Sequence, residues 1–400
     1  MRCDVARAAE IVGAAPTPAA RAELLAYVDA GGVTALHYAC SPLRSDEGAA
    51  LALVELLLGA GADPLARCRL GTLDYQPIHI AATWSARLVQ RRVPAGASID
   101  GDVAGNSTLC CAATATTARG VRMIPALVAL GARETLGNRA MGMFALCPVK
   151  GAPASDEEVR AALAALASAG CSLTEPGADG VTPMDRAARC GNAPVVRALL
   201  ALGAAATTKS LALAVEHPEI VRLLLAAGAQ PGGLVRGVAE NAVSPLMAAA
   251  EASSLESMRL LLAAGASLVQ RNERGLTALM YALRSWAADT AVLRVVEALL
   301  IAGSDVAARD HHGNTPLHML ALDSATQPWA AGVARLLLGN GADAGATNKA
   351  GLKPAGCVPA AGEGGEDDRD DDEDEGAGEG RAAARDELVA LLLEAEGEAT

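Results

Sequence analysis

The chain has 400 residues, of which 52% are hydrophobic but only 2% aromatic, so its core must be built from Ala, Leu and Val, which favours closely packed helices. The formal net charge is −13, and residues 362–380 hold eleven carboxylates and one arginine, a local charge of −10 that leaves only −3 for the rest. This balance excludes a broad basic surface of the kind that binds nucleic acid.

The cysteine content and the apolar segments indicate the compartment. Nine cysteines are too few for a disulfide scaffold in a chain of this length, and none forms a CxxC pair, which favours a reduced, intracellular protein. The N-terminal segment carries Asp and Glu among its apolar residues, unlike a secretory signal. No uncharged apolar run reaches the length of about 18 residues that spans a bilayer. We therefore expect an intracellular protein without a membrane span, in the cytoplasm or alternatively the nucleus.

The first predicted element is a helix over residues 21–32, and a leucine-rich pattern then repeats along the chain. Runs such as VELLLGAG (54–61) and MRLLLAAG (258–265) place apolar residues at i, i+3 and i+4, which predicts amphipathic helices. The closing glycine predicts the helix end, because glycine adopts a positive φ at low cost. Nine such glycines occur, 25 to 39 residues apart: Gly61, Gly96, Gly131, Gly170, Gly203, Gly228, Gly265, Gly303 and Gly341.

A second phrase precedes these runs and predicts the start of another helix. Thr or Ser caps a helix because its hydroxyl accepts a hydrogen bond from a first-turn amide, and Pro is tolerated directly after it. The third helical position is often His, which can reach back to the cap as Glu does in a capping box. Seven such phrases occur: TALHYA (34–39), QPIHIA (76–81), STLCCA (107–112), TPMDRA (182–187), SPLMAA (244–249), TALMYA (277–282) and TPLHML (315–320).

Helix starts and stops that alternate in this way resemble the ankyrin-repeat family. The resemblance covers roughly residues 20–400 and is clearest in GNTPLHMLALDSATQPWAAGVARLLLGNGADA (313–344) and GVTPMDRAARCGNAPVVRALLALGA (180–204). It implies an all-α solenoid of about nine to ten stacked antiparallel helix pairs, with short β-hairpin loops beside a concave face. The expected divisions are an N-terminal helical cap at 1–30, the repeat array at 31–361, a disordered acidic insert at 362–380 and a C-terminal capping helix at 381–400.

Several units depart from the family pattern. Pro94 and Pro125 fall where second helices are expected. Proline inside a helix costs about 3 kcal/mol or more, so we expect residues 76–132 to be the least stable part of the array. Phe144 stands where the following unit should have its capping threonine, and the unit that ends at Gly228 shows no cap phrase.

Histidines and cysteines could instead indicate a metal or catalytic site. His37, His79 and His318 share one slot in separate helix starts, but neighbouring helices lie ~8–10 Å apart, whereas zinc ligands lie within ~2.0–2.3 Å of the ion. Cys110 and Cys111 have no histidine in their unit that could activate a thiolate. No phosphate-binding glycine loop occurs. We therefore predict no catalytic, metal or cofactor site and no enzymatic activity.

Partner binding is the predicted function, because a repeat stack presents a long preformed surface whose exposed residues vary independently of the buried leucines. We predict a monomeric, non-enzymatic scaffold that binds one or more proteins, and no nucleic acid, through hairpin tips and the concave face. Tryptophans between paired helices are candidate contacts, since aromatic residues are frequent in binding hot spots, although covering a helix end is their commoner use. The predicted protein-binding residues are Arg69, Arg139, Asp179, Arg274, His311, His312, Lys349, Trp84, Trp286 and Trp329.

An alternative function is a substrate-recognition adaptor of a ubiquitin-ligase or signalling complex. Family members of that kind carry a recruiting segment such as an F-box, a SOCS box or a BTB domain, and the sequence shows none that we recognise. The acidic segment 362–380 could recruit basic partners or maintain solubility. Both interpretations of this segment stay open.

Overall fold

The computed structural model describes residues 5–41, 46–70, 73–92, 98–100, 107–114, 118–134, 138–146, 154–236, 241–285, 289–323, 326–359 and 375–398. Within these ranges the chain forms 21 α-helices, one 3-10 helix and one two-stranded sheet. It divides into two compact units, Met1–Ala205 and Ala206–Thr400. No helix in the described ranges is long and apolar enough to cross a membrane.

The first unit is a double layer of helices. Its elements are α1 (Val5–Gly13), α2 (Pro18–Ala26), α3 (Ala35–Ala39), α4 (Glu47–Gly59), β1 (Cys68–Leu70), β2 (Leu73–Tyr75), α5 (Pro77–Ala81), α6 (Ala86–Arg92), α7 (Thr108–Thr114), α8 (Ala118–Ala129), α9 (Arg139–Leu146), α10 (Asp156–Ser168), α11 (Pro183–Arg189) and α12 (Ala193–Ala201). The odd-numbered helices from α3 to α11 contact one another in order, as do the even-numbered helices from α4 to α12. Consecutive helices from α3 onward therefore form five stacked pairs.

The second unit repeats this arrangement. Its elements are α13 (Thr208–Leu213), α14 (Pro218–Ala226), α15 (Pro245–Glu251), α16 (Leu255–Ala263), α17 (Ala278–Ala282), α18 (Asp289–Ile301), α19 (Pro316–Asp323), α20 (Ala330–Gly339), a 3-10 helix (Pro354–Cys357) and α21 (Glu375–Glu398). The first helices α13, α15, α17 and α19 contact one another in order and end on the 3-10 helix, and the second helices α14 to α20 end on α21. The predicted all-α solenoid of stacked helix pairs is confirmed.

The hairpin loops form less sheet than expected. In the part of the chain that the structure describes, only β1 and β2 pair as strands, antiparallel, with Arg69 opposite Asp74. Two further loops hold one bridge each, Val28 with Thr34 and Val235 with Val243. The other described loops are turns, so the helices rather than a sheet carry the architecture.

A stripe of buried leucines holds the second helices in place. The leucine four residues before the closing glycine is at most 4% exposed in eight units: Leu57, Leu127, Leu166, Leu199, Leu224, Leu261, Leu299 and Leu337. The closing glycines that the structure describes have positive φ, as predicted. The i, i+3, i+4 pattern of the sequence therefore corresponds to the buried face of each second helix.

Ser107 and Thr182 form the predicted helix N-caps, and Thr207 forms an N-cap that the sequence pattern did not predict. Ser107 Oγ accepts a hydrogen bond from Cys110 N at 3.1 Å, and Thr182 Oγ1 accepts one from Asp185 N at 3.1 Å. Thr207 caps α13 in the same way, because its hydroxyl accepts from Ser210 N at 3.1 Å. The expectation that this unit lacks a cap was therefore wrong. A Thr-x-x-Ser spacing supplies the same pair of hydrogen bonds as the capping box.

Phe144 was also misplaced by the sequence pattern. It does not occupy a cap position but lies inside α9, only 4% exposed. The helix begins five residues earlier at Arg139, and its first-turn amide Ala140 N donates to Glu134 Oε2 at 3.0 Å. The loop therefore supplies the capping oxygen from Glu134, outside the usual Thr or Ser position.

Both ends of the array differ from the expected boundaries. The N-terminal helix ends at Ala26 rather than extending to residue 32, and α1 before it contacts α4. The last helix begins at Glu375, within the segment expected to be an acidic insert. Residues 362–374 lie outside the described residues, as does Pro94, while Pro125 lies inside α8 as predicted.

The repeated histidine bonds its own helix cap with one ring nitrogen and the neighbouring unit with the other. His318 Nδ1 accepts from Thr315 N at 3.2 Å, and its Nε2 lies 3.0 Å from Leu352 O. His37 makes the corresponding contacts with Thr34 N and with Tyr75 O, both at 3.2 Å. Because Nδ1 accepts from an amide, the proton of the neutral ring belongs on Nε2, which donates to the carbonyl of the next unit. Both rings are buried and structural.

Replacement of Leu261 by alanine should destabilise the second unit locally. The side chain is fully buried in α16, so Leu261→Ala should lower the free energy of unfolding by about 2–5 kcal/mol through lost burial and a residual cavity. Hydrogen exchange should show reduced protection in α16 and its neighbours α14, α15 and α18, because repeat contacts reach only adjacent units. Val269→Ala, at a 76% exposed side chain, should change stability by less than about 0.5 kcal/mol. Equal losses for the two variants would contradict this packing.

Protonation of His318 should weaken the fold at mildly acidic pH. Burial lowers the pKa of His318 below its usual 6.5, so the unfolded chain takes up the proton at a higher pH than the folded chain. The contribution of the buried, neutral His318 ring to stability is therefore complete above about pH 6.5. It is lost as the pH falls toward the lowered pKa of the folded state. His318→Asn should reduce the stability loss in urea titrations between about pH 7.5 and about pH 5.5. An NMR titration that places the pKa of His318 at or above 6.5 would refute the argument.

Candidate functional site

Three hairpin tips of the second unit stack through backbone hydrogen bonds. His311 N donates to Arg274 O at 2.9 Å, and Lys349 N donates to His312 O at 2.9 Å. We call these four residues the tip ladder. Their side chains are exposed, and these two hydrogen bonds join peptide groups, so the two bonds do not depend on which side chains the four residues carry.

A buried or half-buried Asn or Asp shapes each of these tips. Asp310 Oδ1 accepts from His312 N and Asn314 N, both at 2.8 Å. Asn272 Oδ1 accepts from two amides of its own tip at 2.9 Å, and Asn348 Oδ1 from two at 3.0 Å. These side chains satisfy amides that the turn leaves unpaired. In the sequence, this hydrogen-bonded turn is indicated by an Asn or Asp three residues before the tip glycine.

Two glycines allow the tips to approach each other closely. Gly275 has φ +80°, and a Cβ at this position would lie 3.1 Å from His311 N. Gly313 also has φ +80°, and its Cβ would lie 3.0 Å from Lys349 N. A side chain at either position would be strained and would push the next tip away.

A groove of ≈ 910 Å³ runs between the tip ladder and the first helices of the second unit. Leu276, Met319 and Leu322 are its apolar lining residues, and Leu322 is 42% exposed. We call this space the tip groove. Its polar lining residues are Glu251, Arg274, Arg284, Asp310, His311, His312 and Asn314.

The helix side of the tip groove carries a pair of opposite charges that sequence reasoning missed. Burial raises the pKa of Glu251, and the positive charge of Arg284 opposes this shift. The Arg284 guanidinium lies 5.6 Å from the centre of the Tyr281 ring, within the range of a cation–π interaction. Both residues lie near the ends of first helices, where the sequence pattern did not distinguish exposed from buried positions.

The tip groove brings together three of the predicted binding residues, Arg274, His311 and His312, and Lys349 extends the same ladder. Cationic side chains also connect neighbouring tips. Arg271 Nη1 donates to Arg309 O at 2.6 Å, and Lys349 Nζ donates to His311 O at 2.7 Å. The exposed cations therefore follow the ladder in a row.

The predicted binding residues of the first unit lie on different kinds of element: a strand, a hairpin tip and a helix. Arg69 is exposed on β1. Asp179 lies at a hairpin tip, but it accepts a hydrogen bond from Arg186, which lowers its pKa. Arg139 lies in the first turn of α9 rather than at a tip, which corrects its predicted placement.

Two of the three tryptophans are buried. Trp84 is 6% exposed, and its Nε1 donates to Cys40 O at 2.6 Å. Trp329 is 2% exposed, at the start of α20. This burial agrees with the commoner structural use of tryptophan at a helix end, and a role of these residues in partner binding stays a prediction. Trp286 lies outside the described residues.

Buried cysteines of the first unit lack the environment of a nucleophile. Burial raises the pKa of Cys111 to about 12 and also raises that of Cys110. Burial raises the pKa of Cys171 as well, with the nearby carboxylate of Glu134 as a further cause. These thiols stay protonated at neutral pH, whereas catalysis requires the thiolate. Among the residues that the structure describes, His, Cys, Asp and Glu side chains form no group of three or more that could hold a metal.

Two family models of a repeated helix pair match this chain. Residues 209–310 match a family model of ankyrin repeats in three copies, and residues 31–69 and 312–349 each match the single ankyrin repeat. Among solved structures, the crystal structure of the ankyrin repeat domain of Bcl-3, described as a unique member of the IkappaB protein family, matches at 23% identity with a TM-score of 0.41. The match covers 52% of this chain and 90% of that one. A search of curated proteins finds no match.

The matched segments fall in both compact units and coincide with the stacked helix pairs. Each matched segment also contains the capped first helix, and the buried leucine stripe follows in the second helix. The chain is an ankyrin-repeat protein.

Proposed function

We propose that this protein is a non-enzymatic scaffold that binds a partner protein through the tip ladder and the tip groove of its second unit. One observation carries the proposal: two peptide hydrogen bonds join the three tips, and the side chains of Arg274, His311, His312 and Lys349 are exposed beside them. Ankyrin repeats are generally protein–protein interaction modules and are typically non-enzymatic, which supports a binding role.

The composition of the tip groove also supports a protein partner. Its apolar residues, with Leu322 exposed, lie beside charged tip residues. Protein interfaces commonly combine an apolar centre with a polar, solvent-accessible rim. The groove is also preformed, since the ladder and the helix caps hold its walls in place, and a preformed surface loses less conformational entropy on binding.

Alanine substitution of the tip ladder should remove partners without unfolding the protein. The variant carries Arg274→Ala, His311→Ala, His312→Ala and Lys349→Ala, and the full-length chain is used for affinity purification from cell extract with quantitative mass spectrometry. We expect the proteins enriched by the wild type to fall to background, because the side chains that rim the groove are gone while the peptide contacts remain.

A matched control carries Arg259→Ala and Arg294→Ala, two exposed cations on second helices outside the groove. It should retain all wild-type partners, and circular dichroism should show native helix content for both variants. Retention of every partner by the tip variant would refute the proposed interface. Enrichment of ubiquitin-ligase subunits by the wild type would favour the more specific role of a substrate-recognition adaptor.

A further inference from the structure

The cations at these three tips differ from many others in the protein in having no carboxylate partner among the described residues. On the second helices, Arg222 pairs with Glu256 and Arg335 pairs with Glu387. Arg271, Arg309 and Lys349 instead donate to carbonyl oxygens of neighbouring tips. Among the described residues, none of these three, nor Arg274, lies within ion-pair distance of a carboxylate. The positive charge of this row is therefore not neutralised within the described structure.

Two carboxylates at these tips are already engaged: Glu273 pairs with Arg236, and Asp310 is bonded within its own tip. Asp310 accepts two amide hydrogen bonds through Oδ1, and its Oδ2 accepts from Asn314 Nδ2 at 3.1 Å. On the helix side, the positive charge of Arg284 stabilises the charged form of Glu251. The unbalanced charge at the rim is positive, on a chain whose formal net charge is −13.

Several features favour an acidic peptide over a nucleic acid as the ligand. Tyr281, the aromatic residue beside the groove, is only 1% exposed, so it offers no face on which a base could stack, and stacking on aromatic side chains is a main source of single-strand affinity. Glu251 and Asp310 also line the groove and would repel a continuous row of phosphates. An acidic peptide can instead place carboxylates at the cations and an apolar side chain on Leu322.

The spacing of the tips sets the length of the ligand. Packed helices lie ~8–10 Å apart, so three successive tips span about 20 Å. An extended chain rises ~3.3 Å per residue, and about six residues therefore cover the ladder. A segment of this length in extended form matches the row of cations better than a helix, which would advance only ~1.5 Å per residue.

We propose that the tip groove recognises an extended acidic segment of a partner protein, about six residues long, with carboxylates at Arg274, Lys349 and the neighbouring cations and an apolar residue against Leu322. This inference rests on the proposed function and names the chemistry of its partner. The attraction is electrostatic at the rim, so it should weaken as salt screens the charges.

The probe for this proposal is a fluorescent peptide of about eight residues, Asp-Glu-Leu-Glu-Glu-Leu-Asp-Glu, titrated with the full-length protein. A peptide with Asn and Gln in place of Asp and Glu tests the charge, and a thymidine oligonucleotide of about ten bases tests nucleic acid. We expect the acidic peptide alone to bind, and its affinity to fall between about 0.05 M and about 0.3 M salt.

Charge reversal tests the location of the site. Arg274→Glu should raise the dissociation constant of the acidic peptide about tenfold, since an attraction becomes a repulsion, and Lys349→Glu serves as a second, independent variant. Arg259→Glu changes the net charge equally on α16, outside the groove, and should leave the affinity unchanged. Equal affinities for wild type and both tip variants would overturn the proposal, as would tighter binding of the oligonucleotide with the same sensitivity to these substitutions.

The acidic segment of the chain itself is the main competing occupant. A variant lacking residues 363–374, of local charge −8, should bind the peptide as the full-length protein does. Binding seen only after this deletion would overturn the partner proposal in favour of an intramolecular occupant. If no peptide binds while the alanine variant of the tip ladder still loses its partners, acidic recognition fails and the scaffold function stands.

Discussion

Burial of one leucine stripe per unit is the constraint on which the rest of this structure depends. A two-helix unit cannot cover its own apolar face, so each second helix buries residues such as Leu224 and Leu261 against the neighbouring pair. The low aromatic content fits this arrangement, because Ala and Leu allow helices to pack closely. Stability within each compact unit therefore builds up from contacts between adjacent pairs.

Polar interactions then set the register of one unit on the next. His37 and His318 each cap their own helix with one ring nitrogen and contact the following unit with the other. Each such histidine is buried, and its two contacts couple helix initiation to stacking. In the second compact unit, successive tips are also in backbone contact, with Gly275 and Gly313 providing the necessary space.

The residues that hold the units together differ from those proposed to bind a partner. Leucines, caps, histidines and peptide groups build the units, and the side chains of the tip ladder are not needed for any of these tasks except where Lys349 reaches a carbonyl. A row of cations without carboxylate partners in the described structure can therefore be used for binding. The chemistry of the partner follows from this row and from the apolar residues beneath it.

Local patterns determined the helix pairs, their caps and their stops, because propensity, capping and apolar periodicity act over three to seven neighbouring residues in the sequence. Only the tertiary structure decided that Trp84 and Trp329 are buried, that Phe144 lies inside α9, and that Glu251 and Arg284 face the tips. Those facts depend on which residues of other units lie alongside, and sequence spacing within one unit carries no information about them. The tip groove likewise exists only because three units, 37 to 38 residues apart at Arg274, His311 and Lys349, are stacked in space.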